Sequence, residues 1–139
     1  MRIPTTEGKA KEMSKQILTT SKLATPAAPF SMGTKAGGIV FCAGLVATDK
    51  AGNVVGVNDI KMQTRQILEN MREVLTAGGA SFADVTKTTV YLTDFANYGG
   101  MNEVYREFFP KEPPARATVK ADLLNKDFLI EIDAFAVPG

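Results

Sequence analysis

Residues 113–136 read PPARATVKADLLNKDFLIEIDAFA, an apolar stretch interrupted by Arg116 and Glu131. Two runs of alternating residues flank LNKD (124–127), whose composition is that of a loop. The stretch is therefore expected to fold as a hairpin with Leu123 facing Phe128. Alternation then sorts both strands into faces. Ala117, Val119, Ala121 and Leu123 stand opposite Ala134, Ile132, Ile130 and Phe128, a wholly apolar face suited to lie under helices. Arg116, Thr118, Lys120 and Asp122 stand opposite Phe135, Asp133, Glu131 and Leu129, a polar face with apolar residues interspersed. Half-buried strands rarely carry lone charges. Two explanations of Arg116 and Glu131 stand on the residues alone. One is a solvated face on which Lys120 and Glu131 form a cross-strand ion pair of roughly 0.2–1 kcal/mol. The other is a binding surface.

Upstream, the pattern alternates strands with helices. Residues 14–34 mix small, polar and proline residues and suggest a short edge strand and a loop. IVFCAGLVAT (39–48), between Gly37-Gly38 and DKAGN (49–53), reads as a buried strand turning into a hairpin. A helix follows, with Asn58 as its expected N-cap and Ile60, Thr64, Ile67, Leu68, Met71, Val74 and Leu75 at helical spacing. Gly78-Gly79 ends it. DVTKTTVYLTD (84–94) is rich in β-branched residues and reads as a strand. A second helix carries Met101, Val104, Tyr105 and Phe108 on one side and stops at Pro110. Strands at both ends with helices between them predict a two-layer α+β domain, a mixed sheet with both helices on one face. The other face would be uncovered.

Composition removes whole classes of chemistry. The chain has 139 residues, enough for one compact domain with a sizeable core, and 45% of them are hydrophobic. Lys and Arg number 16 against 15 Asp and Glu, a net charge of +1, and no stretch gathers the basic residues as a nucleic-acid backbone demands. No nucleic-acid partner is expected. Without histidine there is no Ser-His-Asp triad and no imidazole base. Cys42 is the only cysteine, so intrachain disulfides and thiolate zinc sites are excluded, and it reads as a small buried hydrophobe. No paired-carboxylate spacing suggests a metal. An enzyme built from this chain works with Arg, Glu, Asp, Lys, backbone groups and water. No run reaches the roughly 20 apolar residues of a membrane span. MRIPTTEGKAKEM (1–13) lacks the apolar stretch of a signal peptide and reads as a flexible extension, with Met13 an alternative start, ahead of a single domain over 14–139. A cytoplasmic location is the simplest expectation.

The terminal PPAR…LIEIDAFAV resembles the signature of the RidA (YjgF) family of small enamine/imine deaminases. APF (28–30), GGIVFCAGLV (37–46), QTRQILENMREVL (63–75), GGASFADVTKTTVYLTD (78–94) and NYGGMNEVYREFFP (97–110) are similar to the same family in the same order. The likeness runs from about residue 17 to the end, and looks closest to the RutC aminoacrylate deaminases of pyrimidine breakdown. It implies a chorismate-mutase-like α+β fold and a homotrimer with sites between subunits, acting without cofactor or metal on small carboxylated enamines or imines. It further implies that Arg116 grips the substrate carboxylate, that Glu131 stands near the attacking water, that Asn102 lines the cleft, and that the Gly44 backbone meets the substrate's amino end. Each has a plainer alternative: the Lys120 ion pair for Glu131, a helix cap or cross-link for Asn102, a β-bulge for Gly44. Phe30 stands where many members have tyrosine, as cleft wall or ordinary packing. Thr118 stands where many have cysteine, so any role there falls to its backbone N–H or hydroxyl.

The inventory agrees with that chemistry. An enamine acid tautomerises to an imine, adds water and loses ammonia, and anchoring its carboxylate, orienting water and relaying a proton need no histidine. A carboxylate-binding or holdase-type protein without catalysis is the alternative. Ribonuclease activity, also attached to this family, fits poorly with balanced charge and no histidine.

Overall fold

The computed structural model describes residues 14–139. The expected N-terminal extension, residues 1–13, lies outside the described residues. Six strands and two helices follow: β1 (Gln16–Leu18), β2 (Gly33–Ala36), β3 (Ile39–Leu45), α1 (Ile60–Ala77), β4 (Val85–Leu92), α2 (Tyr98–Phe108), β5 (Ala115–Lys120) and β6 (Ile130–Ala136). They form a two-layer α+β fold, with both helices packed on one mixed sheet.

The helices form where periodicity asked for them. Thr64, Ile67, Leu68, Met71, Val74 and Leu75 of α1 are buried against Val40, Cys42, Ile130, Ile132 and Ala134 of the sheet. The N-cap is Asp59 rather than Asn58: its carboxylate accepts from Met62 N at 3.0 Å. Asn58 instead takes φ 61°, a turn conformation unlike the extended backbone of a cap. At the other end Ala80 N donates to Leu75 O and Gly79 N to Thr76 O, a Schellman motif with Gly79 at φ 78°. The segment after β3 closes only a single bridge, Thr48 to Val54, instead of a full hairpin. The hairpin there is β2–β3, turned by Gly37 and Gly38 at φ 57° and 77°.

The sheet order is β1-β2-β3-β6-β4-β5, and this overturns the expected terminal hairpin. β5 does not pair with β6. It runs parallel to β4, reached through the α2 crossover, while β6 inserts antiparallel between β3 and β4. Connecting β4 to β5 through a helix makes them parallel neighbours. That leaves the apolar β6 two strand partners and the small, polar β5 the edge.

The register corrects the faces as well. Partners across a ladder share a face, so Arg116 and Thr118 go with Thr88 and Val90 toward the helices. Ala117 and Val119 go with Thr89 and Tyr91 to the open side, the reverse of expectation. The faces of β6 are as expected: Ile130, Ile132, Ala134 and Ala136 are buried, while Glu131, Asp133 and Phe135 look outward. Lys120 registers with Leu92, with β4 between it and β6, so the Lys120–Glu131 ion pair does not form.

Candidate active site

Arg116 enters the site from the edge strand and is held by α2. Its Nη1 donates to Asn102 Oδ1 at 2.9 Å and its Nη2 to Tyr98 Oη at 3.1 Å. The guanidinium carbon lies 4.8 Å from the Tyr105 ring centroid and 5.6 Å from that of Tyr98. Such cation–π contacts contribute roughly 0.5–2 kcal/mol. Tyr105 is itself fixed, its hydroxyl 2.8 Å from Thr88 Oγ1 in the core. Every partner is neutral. Among the described residues no carboxylate forms an ion pair with Arg116. A guanidinium oriented by neutral groups keeps its charge available for an incoming anion. It opens into a cleft of about 320 Å³ lined by Tyr98, Asn102, Tyr105, Arg106, Phe109 and the Pro113-Pro114 turn. Thr118, half-buried, follows Arg116 two residues along on the same face.

Tyr98, Asn102 and Tyr105 recur at helical spacing, and that stripe brings them together under Arg116. Sequence reasoning named Asn102, placed Tyr105 on one side of the helix with Met101, Val104 and Phe108, and missed Tyr98. The signal was a polar-aromatic face on a helix next to a lone arginine.

Glu131 and Gly44 meet elsewhere. From Cys42 to Leu45 β3 advances three residues while its partners on β6, Ala134 and Ile132, advance two, so Gly44 sits in a β-bulge. A Cβ added there would fall 2.8 Å from Glu131 Cδ. Glycine is what lets the backbone approach this carboxylate. Burial, and secondarily the charge of Asp133, raise the pKa of Glu131 above the ordinary glutamate value. Asp133 is held to β4, accepting from Thr89 N at 3.0 Å and from the Tyr91 hydroxyl at 3.1 Å. Asp133 was not singled out in the sequence. Its signal was a second acid two residues from Glu131, on the same face.

The remaining candidate stands apart from both. Phe30, 53% exposed in the β1–β2 loop, borders a separate cavity of about 190 Å³ with Ile17, Leu23 and Met32. No residue lines both this cavity and the Arg116 cleft. Within one chain the six candidates thus fall into three places: Arg116, Asn102 and Thr118 beside α2, Gly44 and Glu131 on the open face, and Phe30 in its loop.

Cys42 offers no nucleophile. Burial, helped by the charge of Asp133, pushes its thiol up to about 12, where the thiolate is absent at neutral pH. Among the described residues no three or more of Cys, Asp and Glu gather to hold a metal ion. None of the described helices is long and apolar enough to cross a membrane.

A family model described as Endoribonuclease L-PSP matches residues 20–138. Solved structures agree. The YyfA protein of the Rid family from Yersinia pestis, a protein of unknown function, is 32% identical over 89% of this chain and 99% of its own, with a TM-score of 0.83. RidA from the Antarctic bacterium Psychrobacter sp. PAMC 21119 is 29% identical over 88% of this chain and 98% of its own, with a TM-score of 0.82. E. coli TdcF with bound serine is 32% identical over 89% of this chain and 99% of its own, also at 0.82.

Proposed function

The chain belongs to the endoribonuclease L-PSP family, the family of RidA and YjgF, and from that premise we propose that it is a deaminase of small carboxylated enamines and imines. The observation that carries the reading is Arg116, a guanidinium aimed into a cleft by Asn102, Tyr98 and Tyr105 without any anionic partner. The serine bound to E. coli TdcF supports it, since serine presents a carboxylate next to a nitrogen-bearing carbon, as 2-aminoacrylate does.

In the proposed reaction Arg116 anchors the carboxylate of 2- or 3-aminoacrylate. The enamine gains a proton on carbon and loses one from nitrogen, becoming an imine. Water adds to the C=N carbon while its proton passes through Glu131 to the nitrogen, and the carbinolamine then expels ammonia as its hydroxyl proton moves to that nitrogen. The products are the keto or aldehyde acid and ammonia. A glutamate with a raised pKa suits both halves of this relay, taking a proton from water and returning it to the leaving nitrogen. Asn102, Thr118 and the Gly44 backbone complete the substrate's surroundings.

One chain cannot bring these groups to one small molecule, because Arg116 and Glu131 face opposite sides of the sheet. The proposal therefore includes a cyclic homotrimer in which the open face of one subunit carries Glu131 and Gly44 to the Arg116 cleft of the next. Phe41, Val119 and Phe135 give that open face an apolar component suited to burial.

Ammonia release from freshly generated 2- and 3-aminoacrylate tests the activity, with Arg116→Ala as control. Acceleration over buffer that Arg116→Ala removes is the expected result. Rates equal to buffer would favour a carboxylate-binding protein without catalysis.

A further inference from the structure

The hydroxyl of Tyr98 has more hydrogen-bonding capacity than holding Arg116 uses. Its oxygen accepts from Arg116 Nη2 at 3.1 Å. A phenol oxygen that accepts still carries its own O–H. No hydrogen bond among the described residues takes that proton. The ring is 44% exposed and lines the Arg116 cleft, so the O–H stands at the wall where an anion would lie. An anion hydrogen-bonded to the guanidinium within about 3 Å is also within reach of a hydroxyl 3.1 Å from Nη2.

We propose that Tyr98 is a substrate-binding residue, its hydroxyl donating to the same carboxylate that Arg116 holds. The proposal rests on the reading of Arg116 as the carboxylate anchor. It makes the anion subsite a pair of unlike donors: a guanidinium that supplies charge and a phenol that supplies direction. The same cationic neighbour polarises the phenol and strengthens it as a donor. The pair rejects an uncharged analogue more sharply than arginine alone, since both donors favour a charged acceptor.

Calorimetric titration with pyruvate, the keto acid expected from 2-aminoacrylate, tests this, with methyl pyruvate as the uncharged control. Tyr98→Phe keeps the ring over Arg116 and removes the hydroxyl. It is expected to weaken pyruvate binding about tenfold while leaving methyl pyruvate and the Tm unchanged. Arg116→Ala should lose pyruvate binding altogether. Donation is separated from mere support of Arg116 by 3-fluorotyrosine at position 98, measured at mildly acid pH where the fluorophenol stays protonated. Fluorination makes the hydroxyl a stronger donor and a weaker acceptor, so tighter pyruvate binding is expected. Weaker binding, or wild-type affinity in Tyr98→Phe while Arg116→Ala is dead, would overturn the role of Tyr98 alone. Unchanged affinity in Arg116→Ala would overturn the anchor, and the role of Tyr98 with it.

Discussion

Arg116 and Glu131 lie on opposite faces of one sheet, separated by β4: Arg116 registers with Thr88 on the helix side, Glu131 with Tyr91 on the open side. The hairpin expected from sequence also kept the two apart, but by placing them about four residues apart along one face. The reason is now the sheet itself, which no side-chain rearrangement can cross.

Arg116→Lys should be nearly as damaging as Arg116→Ala. Lysine keeps the charge but not the planar fork that fits between Asn102 Oδ1 and Tyr98 Oη while lying over the Tyr105 ring. The expected loss in kcat/KM for an enamine acid is roughly a hundredfold for both. Tm should fall by only a few degrees in Arg116→Ala, which loses hydrogen bonds and cation–π contacts but no ion pair among the described residues. Wild-type-like kinetics in the lysine variant would remove the anchor.

Gly44→Ala tests the bulge. The Cβ would arrive 2.8 Å from Glu131 Cδ, so the carboxylate must swing away. A loss of roughly ten- to a hundredfold in kcat with a near-normal Tm is expected. Unchanged turnover would mean that Glu131 does not need its present position.

The raised pKa of Glu131 fixes the sign of two pH effects. The folded state holds its proton more tightly than the unfolded chain, so wild type has its full stability from this group below the ordinary glutamate value and loses it as pH rises through the raised one. Glu131→Gln should therefore match or exceed the wild-type Tm at neutral pH, an advantage that fades in acid. In activity, Asp133→Asn removes the second cause of the shift and leaves burial, the first. The acid limb of the pH–rate profile should move to lower pH without reaching that of an exposed glutamate. A limb that stays in place would disconnect it from Glu131.

Thr118→Ser and Thr118→Cys should keep activity within about twofold, since a small half-buried group on the Arg116 face suffices there. Abolished turnover in Thr118→Cys would show a more exacting role for the threonine.

The local structure was legible in the sequence and the long-range pairing was not. Helix α1 announced itself through its apolar stripe and Gly78-Gly79, because those signals act within a few residues. Asp59 and Asn58 are both competent caps, and only the positive φ that the turn imposes on Asn58 decided between them. The last two strands misled for a physical reason. Adjacent strands around a polar loop look like a hairpin whether or not they pair, and Ala117 and Val119 look like core residues although they face outward. The composition of β6, with Ile130, Ile132, Ala134 and Ala136 alternating against two partners, marked a central strand; the plainer β5 marked an edge. Of the candidate site, Arg116 and Asn102 lie together, hydrogen-bonded to each other, whereas Phe30 and Glu131 each stand elsewhere on the chain. Gln63 carried a further signal, a glutamine within the apolar stripe of α1. It is fully buried, and its side chain bonds Gly56 O, Asp127 O and Leu129 N, tying down the loop that leads into β6.

Co-refolding Arg116→Ala with Glu131→Ala tests the composite site most directly. Each variant alone should be inactive. In randomly mixed copies of the proposed trimer each cleft would draw its arginine and its glutamate from different subunits, so about a quarter of the clefts would contain both intact residues. Recovery of about a quarter of wild-type ammonia release from an enamine acid is the expected result. Mixed oligomers that form and stay inactive, or a monomer that is fully active in solution, would contradict a site shared between subunits.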